Sequence, residues 1–124
     1  MNRSTILLVD DEDQLRKMIS NFLIRCGYNV IVASGGEEAL EKALEFDGKI
    51  DLLLSDIEMP RMSGLELAVQ LVRDRPDVKV LLVSAMDSDK LVSDKGWGFL
   101  SKPFFPNVLK ERIEHSIWAG GMYV

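Results

Sequence analysis

The sequence predicts an α/β fold in which helices cover both faces of a parallel sheet. Short aliphatic runs alternate along the chain with longer stretches whose apolar residues recur every three or four positions. Such runs are typical of strands buried on both faces, and the longer stretches are typical of amphipathic helices. Strict alternation indicates a doubly wound sandwich, because a helix must return the chain between parallel strands. The predicted strands are residues 6–9, 29–33, 52–55, 80–83 and 99–101.

Four helices have clear sequence signals. The first begins at Asp13 or Gln14 and ends at Cys26, because Gly27 is suited to the left-handed conformation at a helix end. Ser63 and Glu66 have capping-box spacing and open the third. The second helix is expected at 36 to about 45, and the third is expected to end near 73. The last helix is expected from 106 or 107 to 119, stopped by Gly120 and Gly121. The residues expected to face the core include Leu15, Met18, Ile19, Phe22, Leu23, Ala39, Leu40, Ala43, Leu44, Val108, Leu109, Ile113, Ile117 and Trp118.

The segment after the fourth strand predicts a fourth helix of only a turn or two, or an irregular loop in its place. Residues 86–96 contain two adjacent interior aliphatic residues, Leu91 and Val92, instead of apolar residues spaced three and four apart. Serine and aspartate are frequent in this segment, and both compete for backbone hydrogen bonds. We expect Trp97 to cover the part of the sheet that a longer helix would shield.

Composition indicates one globular domain over residues 1–124, with a core at 5–119 and a short tail at 120–124. The 124 residues are 47% hydrophobic and 28% charged, which is typical of a folded soluble chain. The net charge of −5 and the absence of a Lys/Arg cluster argue against nucleic-acid binding by this domain. No apolar run is long enough to span a membrane, and the single cysteine, Cys26, excludes an internal disulfide. A cytoplasmic location is expected.

Polar residues follow four of the predicted strands and point to one binding site. Asp10 and Asp11 follow the first strand, Asp56 the third, Ser84 the fourth and Lys102 the fifth. Ligands of doubly wound folds bind at the carboxyl ends of the strands, so these side chains are expected to converge there. Three neighbouring carboxylates repel one another, and a hard divalent cation with oxygen ligands relieves that repulsion. The sequence therefore predicts a Mg²⁺ site.

This set of residues also suits phosphoryl transfer. A carboxylate can attack a phosphoryl group and form an aspartyl phosphate, and Asp56 fits that role because it stands alone at a strand end. Negative charge spreads over the phosphoryl oxygens in the transition state. Mg²⁺ and Lys102 would stabilise that charge, and Ser84 would donate a hydrogen bond.

The same residues resemble a known family. The matching motifs are residues 8–12 (LVDDE), 55–60 (SDIEMP) followed by Ser63-Gly64, 83–85 (VSA) and 102–104 (KPF). With these motifs in order and at nearly the family's spacings, the chain resembles the receiver domain of bacterial two-component response regulators over residues 5–119. The resemblance implies a flavodoxin-like fold with strand order 2-1-3-4-5 and a stand-alone phosphorelay switch.

The resemblance also implies individual roles. It identifies Asp56 as the phosphoacceptor and adds the backbone carbonyl of Glu58 to Asp10, Asp11 and Asp56 as Mg²⁺ ligands. Phe99 occupies the position of an aromatic switch, although a phenylalanine in a buried strand equally fits plain core packing. The remaining implied roles are phosphoryl stabilisation by Lys102, Ser84 and Ala85, a cis Lys102–Pro103 peptide bond, switching by Ser84, and tuning of the phosphoryl lifetime by Glu58 and Met86.

The implied partners are proteins. A histidine kinase or histidine phosphotransfer protein would donate the phosphoryl group, since His115 lies outside the helical-bundle setting that a donor needs. A downstream protein would bind the face formed by the fourth helix, fifth strand and last helix. No nucleic-acid or membrane partner is expected. The short fourth helix would alter this face, which the family commonly uses for dimerisation.

Two other functions remain open from the sequence. One is a small Mg²⁺-dependent phosphatase or phosphotransferase with an aspartyl nucleophile, for which Asp56 and Glu58 supply an acidic pair. Such enzymes usually need a cap domain, for which 124 residues leave no room. The other is a pseudo-receiver that binds partners without phosphorylation, although such proteins normally lack one of the site residues. A flavin-binding flavodoxin fits least, because no Ser/Thr/Gly-rich loop follows the first strand.

Overall fold

The computed structural model describes residues 3–122, with side chains for residues 3–118, and places five parallel strands in one sheet. The strand order is β2-β1-β3-β4-β5, so the chain runs outward from β1 in one direction and then in the other. Both the parallel pairing and the order match the sequence prediction. The strands are β1 Thr5–Val9, β2 Asn29–Ala33, β3 Leu52–Asp56, β4 Lys79–Ser84 and β5 Gly98–Ser101.

A helix follows each strand, and the helices divide between the two faces of the sheet. Side chains of α2, α3 and α4 pack in one hydrophobic core, and side chains of α1 and α5 pack in the other. No helix within residues 3–122 has the length and apolarity needed to cross a membrane. The helices are α1 Asp13–Arg25, α2 Gly36–Glu45, α3 Gly64–Asp74, α4 Asp89–Ser93 and α5 Pro106–Met122.

Alternate residues of the central strands supply the two cores. In β1, Ile6 and Leu8 contact the α1 and α5 side, and Leu7 and Val9 contact the opposite side. All five residues of β1 are buried, as expected for a strand covered on both faces. The continuous aliphatic run at residues 6–9 therefore has a direct structural cause, because side chains on both faces of the strand are buried.

Two predicted helix boundaries agree with the structure. Gly27 has a φ of +99°, a left-handed conformation that glycine adopts without steric cost, and it directly follows the C-cap residue Cys26. Ser63 is the N-cap of α3, where its hydroxyl accepts the backbone N–H of Glu66 and the Glu66 side chain accepts the N–H of Ser63. This reciprocal pair orients the loop between β3 and α3.

Several sequence expectations about helix faces and ends were wrong. Met18, Leu44 and Trp118 are exposed, although their spacing predicted inward positions. In α1 and α2 the buried stripe is narrower than the apolar pattern, since the adjacent residues Ile19 and Ala43 are buried in their place. Helix α5 continues to Met122 instead of stopping at Gly120 and Gly121. Glycine costs a helix only about 1 kcal/mol relative to alanine, which weakens a helix without ending it.

The prediction of a reduced fourth helix is confirmed. Helix α4 has five residues, and within it Val92 is fully buried while Leu91 is 52% exposed. Trp97 is partly buried and packs against the same core as Val92, as expected for a residue that covers the sheet beside a short helix. The Lys95 ammonium lies 5.7 Å from the centre of the Trp97 ring, within the range of a cation–π contact.

We expect Val92→Ala to destabilise the protein far more than Leu91→Ala does. Val92 is 0% exposed and anchors α4, so its truncation should lower the free energy of unfolding by about 1.5 to 3 kcal/mol. Leu91, its exposed neighbour, is the matched control and should cost less than about 0.5 kcal/mol. Urea denaturation at equilibrium measures both values. Similar losses for the two variants would show that α4 is not anchored by Val92.

Candidate functional site

Strand register brings the polar strand ends to one edge of the sheet. Val9 pairs with Ser55, so Asp10 and Asp56 are adjacent one residue later. Asp56 pairs with Val83, which places Ser84 one position beyond it. Ser84 pairs with Ser101, and Lys102 follows. These pairings place Asp10, Asp56, Ser84 and Lys102 at the carboxyl edge of the sheet, the edge at which the sequence predicts a site.

The three predicted acidic ligands form a cluster. One carboxylate oxygen from each of Asp10, Asp11 and Asp56 lies within 4.8 Å of the other two. Asp10 and Asp56 are only 3% and 8% exposed, whereas Asp11 is open to solvent. At ~4 Å two like charges repel by about 4 kcal/mol at an effective dielectric near 20, so the cluster requires positive charge nearby.

Lys102 supplies positive charge from β5. Its Nζ lies 3.0 Å from Asp56 Oδ2 and 3.8 Å from Asp10 Oδ2. Burial lowers the pKa of Lys102, but the hydrogen bond to Asp56 and the charges of Asp56 and Asp10 together outweigh it, so the pKa is raised overall. The ammonium therefore stays protonated between the two carboxylates.

Burial also affects the pKa of Asp10, the first carboxylate of the cluster. Desolvation raises the pKa of Asp10, while the backbone N–H of Glu12 and the charge of Lys102 oppose that rise. The Glu12 N–H donates to Asp10 Oδ1 at 2.8 Å, which fixes the carboxylate orientation. Both oxygens of Asp10 are thus oriented, one by the backbone of the following loop and one toward Lys102.

The oxygen donors at this site fit a magnesium ion. Asp56 Oδ1 is buried and has no hydrogen-bond partner among residues 3–118, while the other oxygen of that carboxylate is held by Lys102. A buried carboxylate oxygen without a partner is costly unless a cation or water satisfies it. Mg²⁺ takes oxygen ligands at about 2.0–2.1 Å, so opposite ligands lie roughly 4.2 Å apart. The three carboxylate oxygens, all within 4.8 Å of one another, are compatible with that span.

Arg16 holds the loop that carries the first two aspartates. Its guanidinium donates to the backbone carbonyl of Asp10 at 2.7 Å and to Asp13 Oδ1 at 2.7 Å. Arg16 was not among the site residues predicted from sequence. Its available signal was the i,i+3 spacing of Asp13 and Arg16 in the first turn of α1, which brings opposite charges together on a helix. Its bond to the strand-end carbonyl had no sequence signal.

Gly64 lets the loop after Asp56 fold closely against the strand. A Cβ atom built at this position would lie 2.2 Å from the backbone oxygen of Asp56, a distance that no side chain could tolerate. The Gly64 N–H donates to the carbonyl of Ile57 at 2.8 Å. Glu58 lies in the same loop, exposed, two residues after Asp56. The Ser63-Gly64 motif thus has a steric as well as a capping function.

Ser84 is fully buried at the end of β4, and its hydroxyl is engaged by Glu58. Ser84 Oγ lies 2.8 Å from each carboxylate oxygen of Glu58 and accepts the backbone N–H of Met86 at 2.9 Å. Ala85 and Met86 are exposed beside it. Ser84 was predicted as a site residue, but its contact with the Glu58 side chain was not, because the two residues are 26 positions apart with no local pattern linking them.

The fifth strand contributes the remaining predicted residues. The Lys102–Pro103 peptide bond is cis, and the Lys102 N–H donates to the carbonyl of Ser84 at 2.9 Å. Phe99 is buried in the core that also contains Val92, and its carbonyl accepts a hydrogen bond from Arg112. His115 lies on α5, outside the carboxylate cluster, and Cys26 ends α1.

Comparisons with known proteins agree with this geometry. A sequence model of the response regulator receiver domain matches residues 6–114. The sensor kinase CckA of Brucella abortus is 39% identical over 119 residues, which cover 90% of this chain and 13% of the kinase. The alkaline phosphatase synthesis transcriptional regulatory protein PhoP of Bacillus subtilis is 36% identical over 92% of this chain and 48% of its own length. The chain thus spans less than half of either relative.

Solved structures give the same result. The response regulator TrrA of Thermotoga maritima, crystallised in complex with Mg²⁺ and beryllofluoride, superposes with a TM-score of 0.79 and 35% identity. The alignment covers 90% of this chain and 96% of TrrA. Because the family match includes most of the chain and the fold and strand order agree with it, this protein belongs to the family of response regulator receiver domains.

Proposed function

We propose that Asp56 is the phosphoacceptor of this receiver domain and that Mg²⁺ binds beside it. The proposal is supported above all by the different surroundings of the two oxygens of the Asp56 carboxylate. One oxygen is held by Lys102 at 3.0 Å, and the other is buried without a partner among residues 3–118. A carboxylate fixed on one side and unsatisfied on the other is suited to bind a cation and to attack an incoming phosphoryl group.

The proposed reaction transfers a phosphoryl group from a phosphohistidine of a partner protein. A carboxylate oxygen of Asp56 attacks phosphorus, the P–N bond breaks, and its electron pair returns to the imidazole nitrogen. The product is an acyl phosphate on Asp56. Lys102 offsets the negative charge of the phosphoryl oxygens, and bound Mg²⁺ would supply further positive charge there.

Asp10 and Asp11 are the proposed side-chain ligands that complete the metal site with Asp56, and the backbone carbonyl of Glu58 is the proposed fourth protein ligand. The cluster distances and the hard oxygen donors support this assignment. TrrA, which is 35% identical, was crystallised with Mg²⁺ and beryllofluoride. The donor set contains neither sulfur nor imidazole, which favours Mg²⁺ over softer metals.

We propose that the output is a protein contact rather than turnover of a small substrate. Phosphorylation would shift Ser84 toward the phosphoryl group and change the face formed by α4, β5 and α5. Three large apolar side chains are exposed at or beside that face, Met86, Leu91 and Phe105, which suits partner binding. Ala85 is small and would leave room for the phosphoryl group. The proposed donor of that group is a histidine kinase or a histidine phosphotransfer protein.

Acetyl phosphate should add a single phosphoryl group to the wild-type protein, and only with Mg²⁺ present. Asp56→Asn removes the nucleophile and should abolish labelling, measured by intact-protein mass spectrometry. Asp47→Asn is the matched control, because Asp47 is an exposed aspartate in the loop between α2 and β3 and should label normally. Labelling of Asp56→Asn at the wild-type level would contradict the assignment. Multiple turnover on small phosphate esters would favour a phosphatase instead.

Asp11 and Lys102 should affect metal binding in opposite directions. Asp11→Ala removes a direct charged ligand and should weaken Mg²⁺ binding by more than about tenfold. Lys102→Ala removes a neighbouring positive charge, so Mg²⁺ should bind at least as tightly, while phosphorylation by acetyl phosphate slows. Isothermal titration calorimetry measures the metal affinity of each variant. Equal weakening in both variants would refute the division of roles.

The reduced α4 should prevent phosphorylation-dependent dimerisation through that element. A five-residue helix offers little surface for the contacts that the family commonly makes there. Sedimentation velocity with beryllofluoride and Mg²⁺ should give the same molecular mass as the untreated protein. Dimers that cross-link through Lys90 and Lys95 only after beryllofluoride treatment would overturn this expectation.

A further inference from the structure

The Ser84 hydroxyl has both of its hydrogen-bonding functions occupied. Its oxygen accepts the backbone N–H of Met86 at 2.9 Å, and its proton is directed to the Glu58 carboxylate, whose oxygens are both 2.8 Å away. Ser84 is 0% exposed, so water does not compete freely for that proton. A hydroxyl donates one hydrogen bond at a time. In this arrangement Ser84 therefore has no proton to offer to a group bound at Asp56.

Glu58 is otherwise unrestrained. Its side chain is exposed, and Ser84 is its only hydrogen-bond or ion-pair partner in the part of the chain that the structure describes. An ionised carboxylate is a stronger acceptor than a neutral group, and a hydrogen bond to it is shorter and stronger. The contact connects the loop after β3 to the end of β4, which are the two elements on either side of the proposed phosphoryl site.

We propose that Glu58 is a positioning residue that competes with the phosphoryl group for the Ser84 hydroxyl. This inference rests on the proposed phosphorylation of Asp56 and goes beyond it by naming what opposes the switch. When Ser84 donates to Glu58, the unphosphorylated arrangement is favoured. When Asp56 carries a phosphoryl group, the Ser84 hydroxyl no longer donates to Glu58 and instead donates its hydrogen bond to a phosphoryl oxygen. The two hydrogen bonds exclude each other. A stronger Ser84–Glu58 hydrogen bond therefore makes the change to the phosphorylated arrangement less favourable.

Beryllofluoride binding in saturating Mg²⁺ tests the inference without any hydrolysis step. Glu58→Gln keeps the length of the side chain but removes its charge, so the competing bond weakens and half-saturation should occur at roughly three- to tenfold lower beryllofluoride. Glu12→Gln is the matched control for charge alone, since Glu12 is an exposed carboxylate whose charge acts on Lys102 but which makes no hydrogen bond to Ser84. Its effect should be much smaller.

A double-mutant cycle separates competition for Ser84 from a general charge effect. Ser84→Ala removes the shared hydroxyl, so adding Glu58→Gln to it should leave beryllofluoride affinity unchanged if Glu58 acts through Ser84. The Met86 amide resonance gives an independent readout, because its hydrogen-bond acceptor is the Ser84 oxygen. It should shift in Glu58→Gln and stay in place in Glu12→Gln.

The outcomes distinguish this inference from the proposed function. Beryllofluoride that binds the wild-type protein and Glu58→Gln equally well overturns the inference alone. An equal gain from Glu58→Gln with and without the Ser84 hydroxyl also overturns it, because the effect would then be one of charge. Failure of the wild-type protein to bind beryllofluoride, matched by Asp56→Asn, overturns the proposed function and the inference with it.

Discussion

Repulsion between two buried carboxylates is the constraint on which the rest of the site depends. Asp10 follows β1 and Asp56 ends the adjacent β3, and both are almost fully buried and within 4 Å of the Lys102 ammonium. Removing Lys102 would leave both buried carboxylates without that compensating charge, and breaking a buried ion pair in this way typically costs several kcal/mol. Lys102 reaches the cluster only because β5 pairs with β4 in the observed register. The order and register of the sheet and the charge balance of the site therefore require each other.

This dependence explains which features the sequence could predict. A strand buried on both faces needs a continuous aliphatic run, and its first polar residue marks the carboxyl end, so Asp10, Asp56 and Ser84 could be located from local sequence. The shortness of α4 was equally local, since no residue pairs with Val92 at helical spacing. Arg16 and the Glu58 side chain could not be assigned, because their partners are a backbone carbonyl and a residue 26 positions away.

Helix faces were predicted less well, for a physical reason. Apolar spacing identifies which residues could face the sheet, but the width of the buried stripe depends on neighbouring elements. Leu44 is exposed, whereas Ala39 and Ala43 of the same helix are buried in the core, and α2 also contacts α3. Small residues allow a helix to lie close to a sheet, so the distance between helix and sheet affects how wide the buried stripe is. Sequence spacing alone does not report this distance.

The position of Glu58 connects the proposed metal site with the proposed switch at Ser84. Its backbone lies in the loop that Gly64 holds against Asp56, where its carbonyl is a proposed metal ligand, and its side chain engages Ser84. A ligand shifts a two-state equilibrium only by its differential interaction with the two states. In the proposed switch, a metal bound by the Glu58 carbonyl and a phosphoryl group that accepts the Ser84 hydrogen bond both act on Glu58. Coupling of this kind is reciprocal, so the strength of the Glu58–Ser84 contact would influence metal affinity as well as the switch.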